Sequence, residues 1–361
     1  RSLGAAGLHW TAKTFGRTVR LAGALLLAVV ASAQTPRPSI EELSRQIERA
    51  PSAALYIQRG GERLRIGQFQ PAFDDYSAAV KLRLDDPAAW FGRGQALNGL
   101  GRYSAAIDDF DQALRLKPDM TGVYVERGYS YGRLGDFKRG VEDFDLAVNR
   151  EPNNTRALAL RAAAFAMLRE PEKATAGFTA AINSSPKDYA LYLARASVYA
   201  AEGDAQRALE DRERAVAIAP DSPEARIARG ASYHQVGQHD KGIADRTEAI
   251  RLNPNLPEAW LARGTAYYLL DQPDKAVDDL TQAMRLRPDF PEAKDTLDKA
   301  RNALALRTPV APPQPVATVA VAEPVRVEGP KPQAPKVEPT PTPAPPPATA
   351  TPTAAAPSNP V

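Results

Sequence analysis

The sequence contains no cysteine and only three histidines, His9, His234 and His239, among its 361 residues. The absence of thiols excludes disulfides, zinc–thiolate sites and cysteine nucleophiles. His234 and His239 are five residues apart and do not share one face of a helix, so we predict no metal site. No phosphate-binding loop, nucleophile motif or acid pair outside a repeating pattern is present. We therefore assign no catalytic residue, expect no cofactor and do not expect an enzyme.

The sequence also has no apolar run of the roughly 20 residues that a membrane-spanning helix needs. Residues 1–33 combine a basic segment with the short apolar run Leu21–Val30 and the small residues Ala31 and Ala33. This plan is typical of a secretory signal, here cleaved after Ala33, and an uncleaved anchor is the alternative. We expect a bacterial protein that is exported to the periplasm or secreted, with no transmembrane segment in the mature chain.

The net charge of +3 has little bearing on partners, because it comes from the leader. Arg1, Lys13, Arg17 and Arg20 lie there with no acid, and removing their charge leaves −1 for the rest of the chain. A nucleic-acid-binding protein would need a basic stripe, which this balance does not favour. No nucleic-acid partner is expected.

Arginines recur every 34 residues, at Arg59, Arg93, Arg127, Arg161, Arg195, Arg229 and Arg263. Prolines from Pro118 to Pro288 and alanines from Ala79 to Ala283 keep the same interval. A fixed period of this length indicates a stacked repeat array. Seven units fit without insertion: 53–86, 87–120, 121–154, 155–188, 189–222, 223–256 and 257–290.

Each unit has the pattern of two helices. In the second unit, Trp90 and Leu97 fall on one face of a first helix, and Phe110 lies on the buried face of a second. Gly101 can adopt the left-handed conformation that ends the first helix. Pro118 stops the second helix, because proline disfavours helical geometry in the residue before it.

The stretch AWFGRGQALNGLGRYSAAIDDFDQALRLKP (Ala89–Pro118) and its six companions resemble the tetratricopeptide repeat family. The resemblance implies an all-α fold, a right-handed superhelical solenoid of seven 34-residue helix-turn-helix repeats. It also implies a concave groove lined by the first helices, a protein or peptide partner, and no enzymatic activity.

The flanking segments suit the ends of an array. Residues 34–52 are predicted to form an N-terminal capping helix, with Ser39 and Glu42 spaced as a capping box. Residues 291–307 are predicted to form a C-terminal capping helix, because a terminal unit needs a solvated outer face. Residues 308–361 form a Pro/Ala-rich tail that we predict to be disordered, since 17 prolines fall within 309–361. A passive linker is favoured over a docking motif.

Six arginines of the repeat have an aspartate 16 residues later, on the second helix of the same unit. We predict a ladder of ion pairs that fixes the helix crossing, and ligand binding is the alternative. The pairs are Arg59–Asp75, Arg93–Asp109, Arg127–Asp143, Arg195–Asp211, Arg229–Asp245 and Arg263–Asp279. Only the fourth unit breaks the pairing, with Gly177.

Arg212 and Arg246 stand where other units have an aromatic or leucine side chain, such as Phe110 or Leu280. We expect each arginine to lay its methylene stem on the core and extend its guanidinium group into water. A softer interface between the last three units is the alternative.

The family resemblance places particular positions of each unit toward the concave face. The candidates for partner binding are Phe91, Gln95, Tyr129, Arg133, Met167, Leu193, Ile227, His234, Leu261 and Tyr268. Members that clamp a peptide's terminal carboxylate carry Lys and Asn at the fifth and ninth positions, where this chain has residues such as Phe91 and Gln95. The clamp is absent, and an apolar-faced helix or extended segment fits better. Packing of these residues between helices is the alternative.

These features predict a scaffold or adaptor that binds a peptide or protein segment in the groove. A self-assembling structural spacer remains open, as does, with less support, a nucleic-acid-binding protein. The partner and the oligomeric state are not specified by the sequence.

Overall fold

The computed structural model describes residues 38–307, and all regular structure in that part is α-helical. Sixteen helices follow one another in the described part, each packed on its neighbour in the chain. The all-α class and the helix-turn-helix units are therefore confirmed. The predicted leader, residues 1–33, and the predicted tail, residues 308–361, lie outside the described residues.

Seven helix pairs make up most of the array. The first helices are α2 (Ala53–Arg65), α4 (Pro87–Gly99), α6 (Thr121–Arg133), α8 (Thr155–Met167), α10 (Tyr189–Ala201), α12 (Pro223–Gln235) and α14 (Pro257–Leu269). The second helices are α3 (Phe69–Leu82), α5 (Tyr103–Leu116), α7 (Phe137–Arg150), α9 (Pro171–Ser184), α11 (Ala205–Ile218), α13 (His239–Leu252) and α15 (Pro273–Leu286). Helix α1 (Ile40–Arg49) packs on α2 before them, and α16 (Pro291–Arg307) packs on α15 after them.

Local sequence explains where the helices begin and end. The Ser39 hydroxyl accepts a hydrogen bond of 3.1 Å from the Glu42 amide, as their spacing predicts. Gly101 has φ 75° at the turn between the two helices of its pair, a conformation that glycine adopts without a Cβ penalty. Arg169 and Asp271 replace this glycine in two other units and keep the positive φ, at 63° and 60°.

Small residues let the paired helices approach closely. A Cβ added to Gly94 would lie 2.5 Å from Phe110, whose side chain is fully buried in the seam between α4 and α5. Alanines at the crossing, such as Ala106 and Ala113, are likewise fully buried. The core therefore consists of a chain of apolar clusters that follows the seams from pair to pair.

The first helices also touch one another along the whole array, from α2 against α4 to α12 against α14. The second helices of successive pairs do not pack on each other to a similar extent in the described part. The side of an array on which successive helices are closest is its inner, concave side. We call the first helices α2, α4, α6, α8, α10, α12 and α14 the inner row.

The glycines of the seams differ in how much space surrounds them, and this leads to a prediction. Gly92→Ala should lower the free energy of unfolding by about 1–3 kcal/mol, because its Cβ would lie 2.0 Å from the buried Tyr76 ring. Gly61→Ala is the matched control, since its Cβ would meet the Tyr76 hydroxyl at an ordinary 3.6 Å. That change should stabilise the protein by roughly 0.5–1 kcal/mol through helix propensity. Thermal unfolding measures both, and shifts of the same sign would contradict the close approach at Gly92.

Candidate functional site

The structure brings all six predicted arginine–aspartate pairs together across the seams. In each pair, two guanidinium nitrogens donate to the two carboxylate oxygens, as in Arg93–Asp109, where both distances are 2.7 Å. The aspartates are almost fully buried, with Asp75 at 2% and Asp143 at 3% exposure. Such bidentate, charge-assisted hydrogen bonds are stronger and more directional than neutral ones. That these pairs fix the helix crossing stays a prediction.

Some of the repeat arginines make a further contact that the sequence reasoning missed. The remaining Nη1 reaches back to the second helix of the preceding unit, where Arg127 donates to Asp111 at 2.6 Å and Arg195 donates to Thr179 at 2.7 Å. Arg161, whose own unit lacks the aspartate, makes this backward contact with Asp145 at 2.7 Å. Each of these arginines therefore links neighbouring units.

The ladder arginines have few donors left for a ligand. The hydrogen bond to the aspartate raises the pKa of Arg59, Arg127, Arg195, Arg229 and Arg263, in spite of their burial. In Arg127, for example, Nε, Nη1 and Nη2 all donate to carboxylates. These contacts favour the structural interpretation of the ladder over ligand binding, which stays a prediction.

The ten groove candidates all lie on the inner row, and their surroundings divide them. Phe91, Leu193, Ile227, Leu261 and Tyr268 pack against buried apolar clusters and are partly buried. Gln95, Met167 and His234 are also partly buried. Tyr129 and Arg133 belong to a surface cluster, in which Arg133 is exposed.

This surface cluster consists of Tyr103, Tyr129 and Arg133, and we call it the aromatic–arginine cluster. Arg133 Nη1 donates to the Tyr129 hydroxyl at 2.8 Å. The Arg133 guanidinium also lies 4.7 Å from the centre of the Tyr103 ring, within cation–π range. The two rings meet edge to face with centroids 6.3 Å apart. Tyr103 was not among the predicted residues because it begins the second helix α5.

A buried polar network joins three helices of the inner row. Ser130 on α6 donates to Asn98 Oδ1 on α4 at 2.7 Å, and Arg156 on α8 donates to Glu126 Oε1 on α6 at 2.5 Å. Asn98, Ser130 and Glu126 are 9%, 0% and 7% exposed. The sequence carries one signal of the network, because Glu126 stands where the second and the later units have glycine, leucine or alanine. A satisfied buried network of this kind holds the neighbouring helices in one arrangement.

Arg212 and Arg246 depart from their expected placement. The expectation that their guanidinium groups extend into water is wrong, because the two residues are only 4% and 6% exposed. Arg212 Nη1 donates to Ser232 at 2.5 Å across the seam to the next unit. Nε of both arginines and Nη1 of Arg246 are enclosed without an acceptor. Burial lowers the pKa of each to about 10.

His234 and His239 face each other across the turn between α12 and α13. Their Nδ1 atoms are 2.9 Å apart and their ring centroids 4.4 Å apart. Within residues 38–307, no three His, Cys, Asp or Glu side chains are grouped to hold a metal ion. No helix in that same part is both long and apolar enough to cross a membrane.

Comparisons with known proteins agree with this architecture. Family models described as tetratricopeptide repeat match residues 58–121, 125–188 and 257–290. A tetratricopeptide repeat protein from Parabacteroides merdae is 19% identical, with a TM-score of 0.50 over 73% of this chain and 91% of that one. The search of curated proteins finds no significant match. This chain belongs to the tetratricopeptide repeat family.

Two further solved structures are similar. A chain of the APC/C hetero-tetramer Cut9–Hcn1 is 14% identical, with a TM-score of 0.55 over 72% of this chain. This chain covers 52% of that protein, about half of its length. YrrB, described as a TPR protein with an unusual peptide-binding site, is 23% identical over 52% of this chain and 97% of that one, with a TM-score of 0.42. These likenesses concern the fold.

Proposed function

We propose that this protein is a non-enzymatic scaffold whose inner row binds a peptide or protein segment in the cell envelope. Membership of a family whose proteins bind other proteins supports the general role. The observation that carries the specific proposal is the aromatic–arginine cluster, which presents two tyrosine rings and an exposed guanidinium group on one surface. The leader pattern in residues 1–33 supports export.

The inner row is suited to binding because it is already ordered. The network from Asn98 through Glu126 to Arg156 ties α4, α6 and α8 of the inner row together. Little conformational freedom is then lost when a partner arrives, and that loss is a large part of the free-energy cost of association. Tyrosine and arginine side chains are enriched among the residues that dominate binding energies.

This proposal predicts that loss of the aromatic–arginine cluster weakens binding. Peptides selected from a displayed random library against the full chain should bind the variant Tyr129→Ala/Arg133→Ala at least about tenfold more weakly, a loss of about 1.4 kcal/mol or more. Arg139→Ala is the matched control, because Arg139 makes the same type of contact, 4.5 Å from the Tyr131 ring, from the second helix α7. Isothermal titration calorimetry of each peptide measures the affinities.

Two outcomes contradict the proposal. If the peptides bind both variants as tightly as they bind the unchanged chain, the binding surface lies away from the inner row. A library that yields no specific binder would favour a structural spacer. Fractionation of source cells tests the location separately. Recovery of the protein from the cytosol with residues 1–33 still attached would contradict export.

A further inference from the structure

The twenty-fourth position of each unit lies on its second helix and is buried. Five units fill it with an aromatic or leucine side chain: Tyr76, Phe110, Phe144, Phe178 and Leu280. Arg212 and Arg246 occupy the same place in the fifth and sixth units, at 4% and 6% exposure. Burial of a cation is costly unless it is paired and hydrogen-bonded, so packing does not explain these two residues.

Arg246 is the less satisfied of the two. It makes no hydrogen bond and no ion pair with any residue in the described part of the chain, and Nε and Nη1 are enclosed without an acceptor. Nη2 is therefore the guanidinium nitrogen that solvent reaches. Arg212 differs, because its Nη1 donates to Ser232. The ladder arginines differ more, because each gives two donors to its aspartate.

His234 lies beside the Arg246 guanidinium, and His239 contacts His234. A Cβ added to Gly242 would lie 3.0 Å from Arg246 Nη1 and 3.6 Å from the backbone nitrogen of His234, which places the guanidinium against that turn of α12. His239, the first residue of α13, brings its Nδ1 to 2.9 Å from that of His234. Burial is the main reason that the pKa of His234 is lowered, and the electrostatic influence of His239 and Arg246 lowers it further.

The acidic groups nearby are already engaged. The carboxylate whose charge acts on Arg246 is Asp245. Its two oxygens accept hydrogen bonds of 2.7 Å from Arg229, and Arg226 lies a further 3.6 Å from one of them. Asp245 is therefore already paired with two other guanidinium groups and offers no hydrogen bond to Arg246.

We propose that the surface formed by Arg246 Nη2, His234 and His239 binds a phosphate-class oxyanion. The Nδ1–Nδ1 contact uses the N–H of one imidazole, so the anion accepts hydrogen bonds from the guanidinium and from the Nε2–H of the other imidazole, and it supplies negative charge opposite a buried cation. A tetrahedral oxyanion suits donors that arrive from the two helices α12 and α13, because its oxygens diverge. The equivalent place in the fifth unit has Ala200 where the sixth has His234, so the site belongs to the sixth unit. This inference does not depend on peptide binding.

The histidine rings report directly on the site, since the whole chain has only three histidines. Inorganic phosphate, added at constant ionic strength, should shift the NMR signals of the His234 and His239 rings along a saturable curve in the millimolar range, ~1–10 mM. Arg246→Leu should raise the half-saturating concentration about tenfold or more. Leu280 shows that leucine is accommodated at this position. His239→Gln, which leaves the seam unchanged, should also weaken binding, as read from His234.

Controls test whether binding depends on this site and which class of anion it prefers. Arg251→Leu should leave the affinity unchanged, because Arg251 is an exposed residue of the same helix paired with Glu248. Glycerol 3-phosphate tests whether an esterified phosphate enters as well as the free anion, and either one binding supports the site. A response equal to that of chloride would overturn the proposal, as would equal affinities for acetate and phosphate. Unchanged phosphate affinity in Arg246→Leu would overturn the role of Arg246.

Discussion

Asp143→Asn should lower the free energy of unfolding by about 2–4 kcal/mol. The Asp143 side chain is 4% exposed and accepts hydrogen bonds of 2.9 and 2.7 Å from Nε and Nη2 of Arg127. An asparagine of the same shape offers one oxygen acceptor and no charge. The guanidinium would then keep its place in the seam without its buried counter-charge, and breaking one side of such a pair is more costly than removing both sides.

Asp111→Asn is the matched control for this prediction. Asp111 also binds Arg127, at 2.6 Å, but its side chain is 41% exposed. We expect the free energy of unfolding to fall by less than about 1 kcal/mol, because solvent screens the interaction and can replace the lost partner. Urea unfolding followed by circular dichroism measures both variants, and the slope shows whether the array still unfolds in one transition. Equal losses would contradict the view that burial sets the strength of the ladder.

Arg246→Leu should raise the free energy of unfolding by about 1–3 kcal/mol in phosphate-free buffer. The change removes an unpaired buried charge and restores the type of side chain that Leu280 places in the next unit, where it is 0% exposed. Burial lowers the pKa of Arg246 to about 10 in the folded chain. The destabilisation is therefore fully present at neutral pH and is relieved only as the pH rises above about 10.

Arg212→Leu provides the comparison. The free energy of unfolding should rise less than in Arg246→Leu. The change also removes the 2.5 Å hydrogen bond to Ser232, and it leaves this hydroxyl, which is 0% exposed, without that donor. Thermal unfolding of the two variants ranks them. A loss of stability in Arg246→Leu would mean that the seam already satisfies the guanidinium. A gain would show that the sixth unit retains a destabilising arginine, as functional sites often do.

The two kinds of arginine show why prediction from the sequence succeeded for one and not for the other. The Arg93–Asp109 contact follows from the period, since a spacing of 16 residues across an antiparallel helix pair recurs in identical local geometry. The backward contact from Arg127 to Asp111 has the same spacing, but it depends on how one pair stacks on the next. The burial of Arg212 likewise involves the neighbouring unit, because its Nη1 donates to Ser232 on α12.

The all-α class, the seven units and the pairing within each unit could be read from the sequence, because the 34-residue period repeats the same short-range interactions. The candidate sites could not. Tyr103 meets Arg133 and Asn98 meets Glu126 only after one pair has stacked on the next, whereas His234 and His239 meet across the turn within one pair. None of these residues repeats with the period, so no pattern within a unit marks them as neighbours. The stacking of helix pairs, a property of the tertiary structure, decides which of the non-repeating side chains come together.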